Sequence, residues 1–258
     1  MGIKIAVTGK GGVGKTTLAA VLARMYAAEG APVLAADVDP DANLGLALGF
    51  SPAELAKITP ISELKELIKE RTGSDDGGYG RFFKINPRVD DIPDRFAGLH
   101  EGVRLLVMGT VDNPGAGCVC PEHVMLKRVL SHIVFQREDV VIMDMEAGLE
   151  HLGRGTASGM DMFITVVEPG ARSIQTYQRV RQLAGGLGIG RVAVAANKIR
   201  TPEDEAYIRE NIPSEDLLGF IHWSPEVAEA DRRGGSPYDM CPGTVAEIAE
   251  IRRRIEAV

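Results

Sequence analysis

The run Gly9-Lys10-Gly11-Gly12-Val13-Gly14-Lys15-Thr16 follows the apolar segment Ile3–Thr8 and leads into an apolar helix, Leu18–Ala28. An apolar strand, a glycine loop and a helix in that order leave few folds open. Glycines let successive backbone N–H groups converge on one point without Cβ interference. The helix N-terminus adds unpaired donors and the positive end of its dipole. The spacing therefore reads as a phosphate cradle built from Gly9, Gly11, Gly12, Val13 and Gly14. Lys15 is placed to reach the β- and γ-phosphates of a nucleotide, the Thr16 hydroxyl to ligate Mg²⁺, and Thr17 to lie beside them. A glycine-rich turn that matches by accident is the plainer reading, and the strand–loop–helix context argues against it.

The rest of the chain repeats the alternation. Expected strands are Ile3–Thr8, Val33–Asp37, Val103–Met108, Val140–Asp144, Met162–Val167, Arg191–Asn197 and Leu217–Ile221. Most are apolar throughout, as strands covered on both faces are. Helices between them imply right-handed crossovers and an α/β fold with a doubly wound, mostly parallel sheet, whose ligands bind at the carboxyl ends of the strands. We expect residues 1–258 to form one P-loop NTPase domain. Residues from about 51 to 102, with a helical segment Glu54–Arg71 and a Pro-containing stretch Asn86–Asp94, read as an insertion at the sheet edge. The cluster Gly185–Gly190 precedes a strand, so it ends a helix and is no dinucleotide fingerprint.

Charge and hydropathy exclude several classes. A net charge of −7 argues against a broad, sequence-independent nucleic-acid partner. No apolar stretch has the length of a membrane span, and the start of the chain, with Lys4 among apolar residues, does not resemble a signal peptide. A cytoplasmic protein without a membrane partner is the expectation, and its three cysteines are then thiols or metal ligands.

Lys10 is a second lysine inside the loop. ATP carries about four negative charges, of which Mg²⁺ and one lysine cancel about three. Here the sequence resembles the deviant Walker A family, which includes MinD, ParA and the nitrogenase iron protein. The resemblance implies that Lys10 reaches the nucleotide of a second subunit, so that ATP holds a homodimer together and hydrolysis to ADP releases it. It also implies a water-orienting role for Asp39, in Asp37-Val38-Asp39-Pro40-Asp41, and a place behind the magnesium for Asp144, at the end of Val140–Asp144. Gly148 becomes the glycine that senses the γ-phosphate. Taken singly, each aspartate also suits a helix cap. Asn197-Lys198 stands where a base-reading asparagine is expected. GTP-binding proteins place an aspartate two residues further on, and Arg200 in that position favours adenine.

Cys118-Val119-Cys120 lies in the glycine- and proline-rich loop Asp112–Pro121. Two thiolates cannot fill the four positions of a zinc or nickel site. The pair is then either two unligated thiols or half of a site completed across a dimer axis. His123 offers a third ligand within one chain, against a plainer capping or exposed role. A disulfide between residues i and i+2 is strained. Cys241 reads as a small buried or unengaged residue. The Cys-x-Cys loop together with the stretch Met143–Ala157 closely resembles the CooC-type ATPases that mature nickel carbon monoxide dehydrogenase. That resemblance covers essentially the whole chain. It implies Ni²⁺ or Zn²⁺ held between subunits by Cys118 and Cys120, a dimer promoted by ATP and metal, and nickel carbon monoxide dehydrogenase as client. His151 reads as structural or as an aid to metal handling. Two rivals stand beside this reading. An electron carrier like the nitrogenase iron protein needs a cluster cysteine where this chain has Ala147. A positioning ATPase of the MinD or ParA kind would use the segment Thr244–Val258 on a membrane surface, although the stripe Ile248, Ile251 and Ile255 suits a helix docked on the sheet better.

Overall fold

A computed structural model of the chain describes residues 2–74, 83–110, 120–146, 156–187, 189 and 191–257. Its sheet holds β1 (Lys4–Gly9), β2 (Val33–Asp37), β3 (Gly98–His100), β4 (Val103–Val107), β5 (Val140–Asp144), β6 (Met162–Val167), β7 (Val192–Ile199) and β8 (Leu217–His222). Their spatial order is β3-β4-β2-β5-β1-β6-β7-β8. Every pairing is parallel except that of β3 with β4. β1, carrying the phosphate loop, sits near the centre, and successive strands are laid down first to one side of it and then to the other.

Period-two alternation explains the two covered faces. Ile5, Val7, Val33, Ala35, Ile142 and Ile164 share one apolar core with the helix Lys15–Ala28 and with Ile248, Ile251 and Ile255. Ala6, Leu34, Ala36, Val141, Met143 and Phe163 face the opposite layer, where the helix Pro121–Gln136 contributes Met125, Val129 and Ile133. The helix Lys15–Ala28 is buried on nearly all sides, which its all-round apolar sequence requires. The C-terminal helix runs Pro242–Glu256, and its isoleucine stripe is buried against the sheet, so that stripe is core. Among the described residues no helix is long and apolar enough to cross a membrane.

Three expectations need correction. The helix expected over Glu54–Arg71 is broken into Pro52–Leu55, a 3₁₀ turn Ile61–Glu63 and Lys65–Thr72. Pro60 lacks an N–H and disfavours helical backbone in the residue before it, so the chain extends there and restarts. The Pro-containing stretch Asn86–Asp94, in which no element was foreseen, runs into a short helix, Ile92–Phe96, followed by the equally unforeseen edge strand β3. The seventh strand reaches Ile199, two residues past its expected end, because the chain bulges at Asn197–Lys198 and then re-pairs. Ile61, Ile68, Val89 and Ile92 pack against the sheet face opposite Lys15–Ala28, which joins this region to the main core.

Candidate active site

The phosphate loop leaves β1 at Gly9 and enters the helix at Lys15. Gly14 caps that helix in the left-handed region, with φ 99°, and a Cβ there would lie 2.1 Å from Nδ2 of Asn197. Gly9, with φ 149°, presses against β6, where a Cβ would meet the Val166 carbonyl at 2.6 Å. Both positions thus need glycine for backbone angle and for room. The first intrahelical bond is Leu18 N–H to Gly14 O, at 3.1 Å. The earlier N–H groups of the first turn therefore have no acceptor within the helix. Gly9 to Gly12, Gly14, Lys15 and Thr16 line a cavity of about 470 Å³, closed on its other side by Asp39, Asp41, Asn43 and Glu146. Lys10, half-buried, is part of this lining. The arrangement is a concave array of N–H donors with two lysines, suited to a polyanion.

Two buried acids stand beneath it. The Thr16 hydroxyl donates to Oδ2 of Asp144 at 2.6 Å, and Oδ1 of Asp144 is buried with no hydrogen-bond partner. Burial pushes the Asp144 carboxyl up to about 6, against the opposing pull of the Thr16 hydroxyl and the Lys15 charge. An orphaned carboxylate oxygen beside a hydroxyl with spare lone pairs is a hard-oxygen donor set, which fits Mg²⁺. Asp37 accepts from Leu44 N–H at 2.8 Å and from Asp39 N–H at 3.3 Å. Burial drives its carboxyl up to about 7 despite those bonds, and nearby Asp144 adds to the rise. It therefore ties the segment after β2 to its own strand, a role the sequence alone did not indicate. Oδ2 of Asp39 lies 3.6 Å from Nζ of Lys15, so the structure brings these two expected site residues together at the mouth of the cradle.

A second cavity, of about 570 Å³, continues from the first past Gly12, Gly14 and Thr16. Asn197 and Lys198 line it, together with Thr17, Trp223, Val227 and Asp231. Its position beyond the phosphates, with apolar walls and few polar groups, suits a nucleoside. Asn197 donates from Nδ2 to the Val13 carbonyl at 2.7 Å, and Lys198 from Nζ to the Gly12 carbonyl at 2.6 Å. Both side chains thus engage the phosphate loop, where the sequence had suggested a base contact. The Arg200 guanidinium lies 4.9 Å from the centre of the Trp223 ring. Sequence reasoning missed Trp223 and Asp231. Trp223 is the chain's single tryptophan and comes just after β8, at the carboxyl edge, and that position was the available signal.

Cys120 occupies the N-cap of the helix Pro121–Gln136, where its Sγ accepts from His123 N–H at 3.5 Å. Cys118, Gly148 and His151 lie outside the described residues. Among those that are described, no group of three potential ligands is disposed to hold a metal ion. Cys241 is fully buried, and burial raises its thiol above the usual range.

A sequence profile of the CobQ/CobB/MinD/ParA nucleotide binding domain matches residues 4–238. The chain is 47% identical over 240 residues to the carbon monoxide dehydrogenase accessory protein CooC of Rhodospirillum rubrum, covering 93% of this chain and 91% of that one. It is 42% identical over 252 residues to an uncharacterized ATP-binding protein of Methanocaldococcus jannaschii, covering 96% of each. Its fold is similar to that of a ParA family ATPase from Chlorobium tepidum, with a TM-score of 0.68 at 17% identity, covering 98% of each chain. The septum site-determining protein MinD of Pyrococcus horikoshii, solved with Mg-ADP, gives a TM-score of 0.62 at 20% identity, covering 99% of this chain and 96% of that one.

Proposed function

Because the chain is an ATPase of the CobQ/CobB/MinD/ParA nucleotide-binding family and stands with its CooC-type members, we propose that it is a nickel insertase for the maturation of nickel carbon monoxide dehydrogenase. The relationship to the Rhodospirillum rubrum accessory protein, 47% identity across 93% of the chain, is the observation that carries this reading. The triphosphate lies in the cradle Gly9–Thr16, with Lys15 against its β- and γ-oxygens. Lys10 supplies a further positive charge, across the interface of a homodimer. Thr16 and, behind it, Asp144 hold Mg²⁺, which neutralises phosphate charge when bound. Asp39, at the mouth of the cradle, orients the attacking water, and Gly148 reports the presence of the γ-phosphate. The base occupies the second cavity.

The cargo is Ni²⁺ or Zn²⁺, gripped by Cys118 and Cys120 of two subunits as four thiolates. ATP draws the two phosphate loops together, and with them the two Cys-x-Cys loops. Hydrolysis relaxes the segment after β2 and the segment after β5, which weakens the shared site and frees the metal. Ligation by thiolates releases protons, so affinity rises with pH.

Metal content and solution mass of the wild type and of a Cys118→Ser/Cys120→Ser variant, with and without ATP, test this reading. One nickel or zinc per two chains, lost in the variant, is the expected result. Iron and sulfide in an anaerobic preparation would replace it with an electron carrier. ATP-driven dimers without cysteine-dependent metal would return the protein to the partitioning ATPases.

A further inference from the structure

Neighbouring side chains of a regular strand point to opposite faces of the sheet. Near the end of β7 this rule is broken: Asn197 and Lys198 both reach the phosphate loop, on the consecutive carbonyls of Val13 and Gly12. Two backbone features make that possible. The pairing of β7 with β8 shifts register between Ala196 and Ile199, and Lys198 adopts φ +59°, a conformation unusual for a residue with a Cβ. Bulges of this kind re-aim side chains beside active sites. Oδ1 of Asn197 accepts from the Lys198 N–H at 2.8 Å, which turns the amide so that its NH₂ faces the loop. Nζ of Lys198 also pairs with Glu168, one residue past β6, at 3.4 Å. The loop is thereby pinned to the ends of the two strands beyond β1.

In a planar trans peptide the C=O and the following N–H point in opposite directions. Holding the Val13 carbonyl turns the Gly14 N–H away from the clamp and towards the cradle, and holding the Gly12 carbonyl fixes the peptide whose Val13 N–H closes the loop on the Lys10 carbonyl at 3.4 Å. We infer that Lys198, seated by Glu168 and working with Asn197, is a positioning residue that sets the donor array of the phosphate loop and makes no contact with the base. This rests on the ATPase reading and deepens it, because it gives the residues expected to read the base a task at the phosphates.

The experiment compares dissociation constants of Mg²⁺ complexes of ATP, GTP, UTP and inorganic tripolyphosphate for the wild type, Lys198→Ala, Lys198→Arg and Glu168→Gln. A charged hydrogen bond of this kind predicts a loss of about tenfold in Lys198→Ala, equal for all four ligands and leaving the order of base preference intact. Lys198→Arg should recover most of the loss. Glu168→Gln, a change at the surface, should show the same pattern at smaller amplitude even where Lys198→Ala folds poorly. A dissociation constant is unmoved by an inactive fraction, so poor folding alone cannot imitate the result. Weakening confined to ATP, with tripolyphosphate unchanged, makes Lys198 a base contact and overturns the inference, as does no change for any ligand. A wild type that binds none of the four overturns the ATPase reading itself, and the inference with it.

Discussion

At the amino edge of the sheet, Lys4 is buried at the start of β1 and donates from Nζ to the carbonyls of Arg137, at 2.8 Å, and Asp139, at 2.5 Å. Asp139, also buried, takes Arg104 on one oxygen and Arg137 on the other. Asp161 receives the Lys4 N–H, and the more exposed Asp94 closes the outside of the network against Arg104 and Arg137. At the carboxyl edge the buried charges are Lys15, which pairs with Asp39 at 3.6 Å, and two acids, Asp37 and Asp144, which adjoin each other and are both raised by burial. One oxygen of Asp144 has no partner at all. Buried charge is costly unless it is paired. The amino edge is complete in itself, and the carboxyl edge, with an Asp144 oxygen left over, is complete only with a cation and a polyanion. The contrast separates the end of the sheet that maintains the fold from the end that takes the ligand.

The strongest way to break this contrast is at Lys15. Lys15→Ala should lower kcat/KM for MgATP about a thousandfold, or about 4 kcal/mol of transition-state stabilisation, with the urea midpoint of the nucleotide-free protein scarcely moved. Hydrolysis that survived the change would place the chemistry elsewhere. At the opposite edge, Asp139→Asn removes the charge that Arg104 and Arg137 share and turns an NH₂ donor on one of them, and should cost about 3 kcal/mol of stability, measured by urea unfolding, while the folded fraction hydrolyses ATP normally.

The pH dependence sharpens the comparison further. The Asp37 carboxyl titrates near 7 when folded and in the ordinary carboxylate range when unfolded. Between those values the folded state binds more protons, so this group's contribution to stability falls as pH rises from about 4 to about 7 and is level above that. The unfolding free energy of wild type minus that of Asp37→Asn, from urea titrations at a series of pH values, should decline over that range by about 4 kcal/mol. A difference independent of pH would mean that Asp37 ionises normally. The smallest effect belongs to Asp94, whose side chain is 58% exposed. Asp94→Ala should cost less than about 1 kcal/mol, and a loss equal to that of Asp139→Asn would show that the outer half of the network matters as much as the buried half.

The strands of the parallel sheet were legible because each is apolar on both faces, and the phosphate loop because its glycines stand at fixed spacing between a strand and a helix. β3 was not legible. Gly98-Leu99-His100 has three residues and no alternation that demands a strand, and it exists only because β4 offers it an edge. The break at Pro60 was written in the sequence and was overridden by the helical period on either side of it. In the site, Lys15, Thr16, Asp39 and Asp144 could be placed because they stand at strand ends or in the loop. Trp223 and Asp231 come from the segment after the last strand, where no motif marks them. The double aim of Asn197 and Lys198 depends on a bulge that no periodicity announces, and the pairing of Lys4, Arg104, Arg137 and Asp139 joins residues too distant in sequence for local patterns to link.

One register pair carries a mechanical consequence. Asp37 and Asp144 lie directly opposite each other on adjacent strands, and the Val38 N–H reaches across to the Asp144 carbonyl at 2.9 Å. On the other side of β5, the Met145 N–H is held by the Val7 carbonyl at 3.0 Å. The two segments proposed to respond to nucleotide therefore spring from one rung of a ladder, at equal height above the core, with the phosphate strand one rail further along. They are geared and cannot idle separately: a displacement that lifts one pulls on the amide that anchors the other. The gear ratio is set far from any ligand, by the valines, isoleucines and alanines that hold the strands in register.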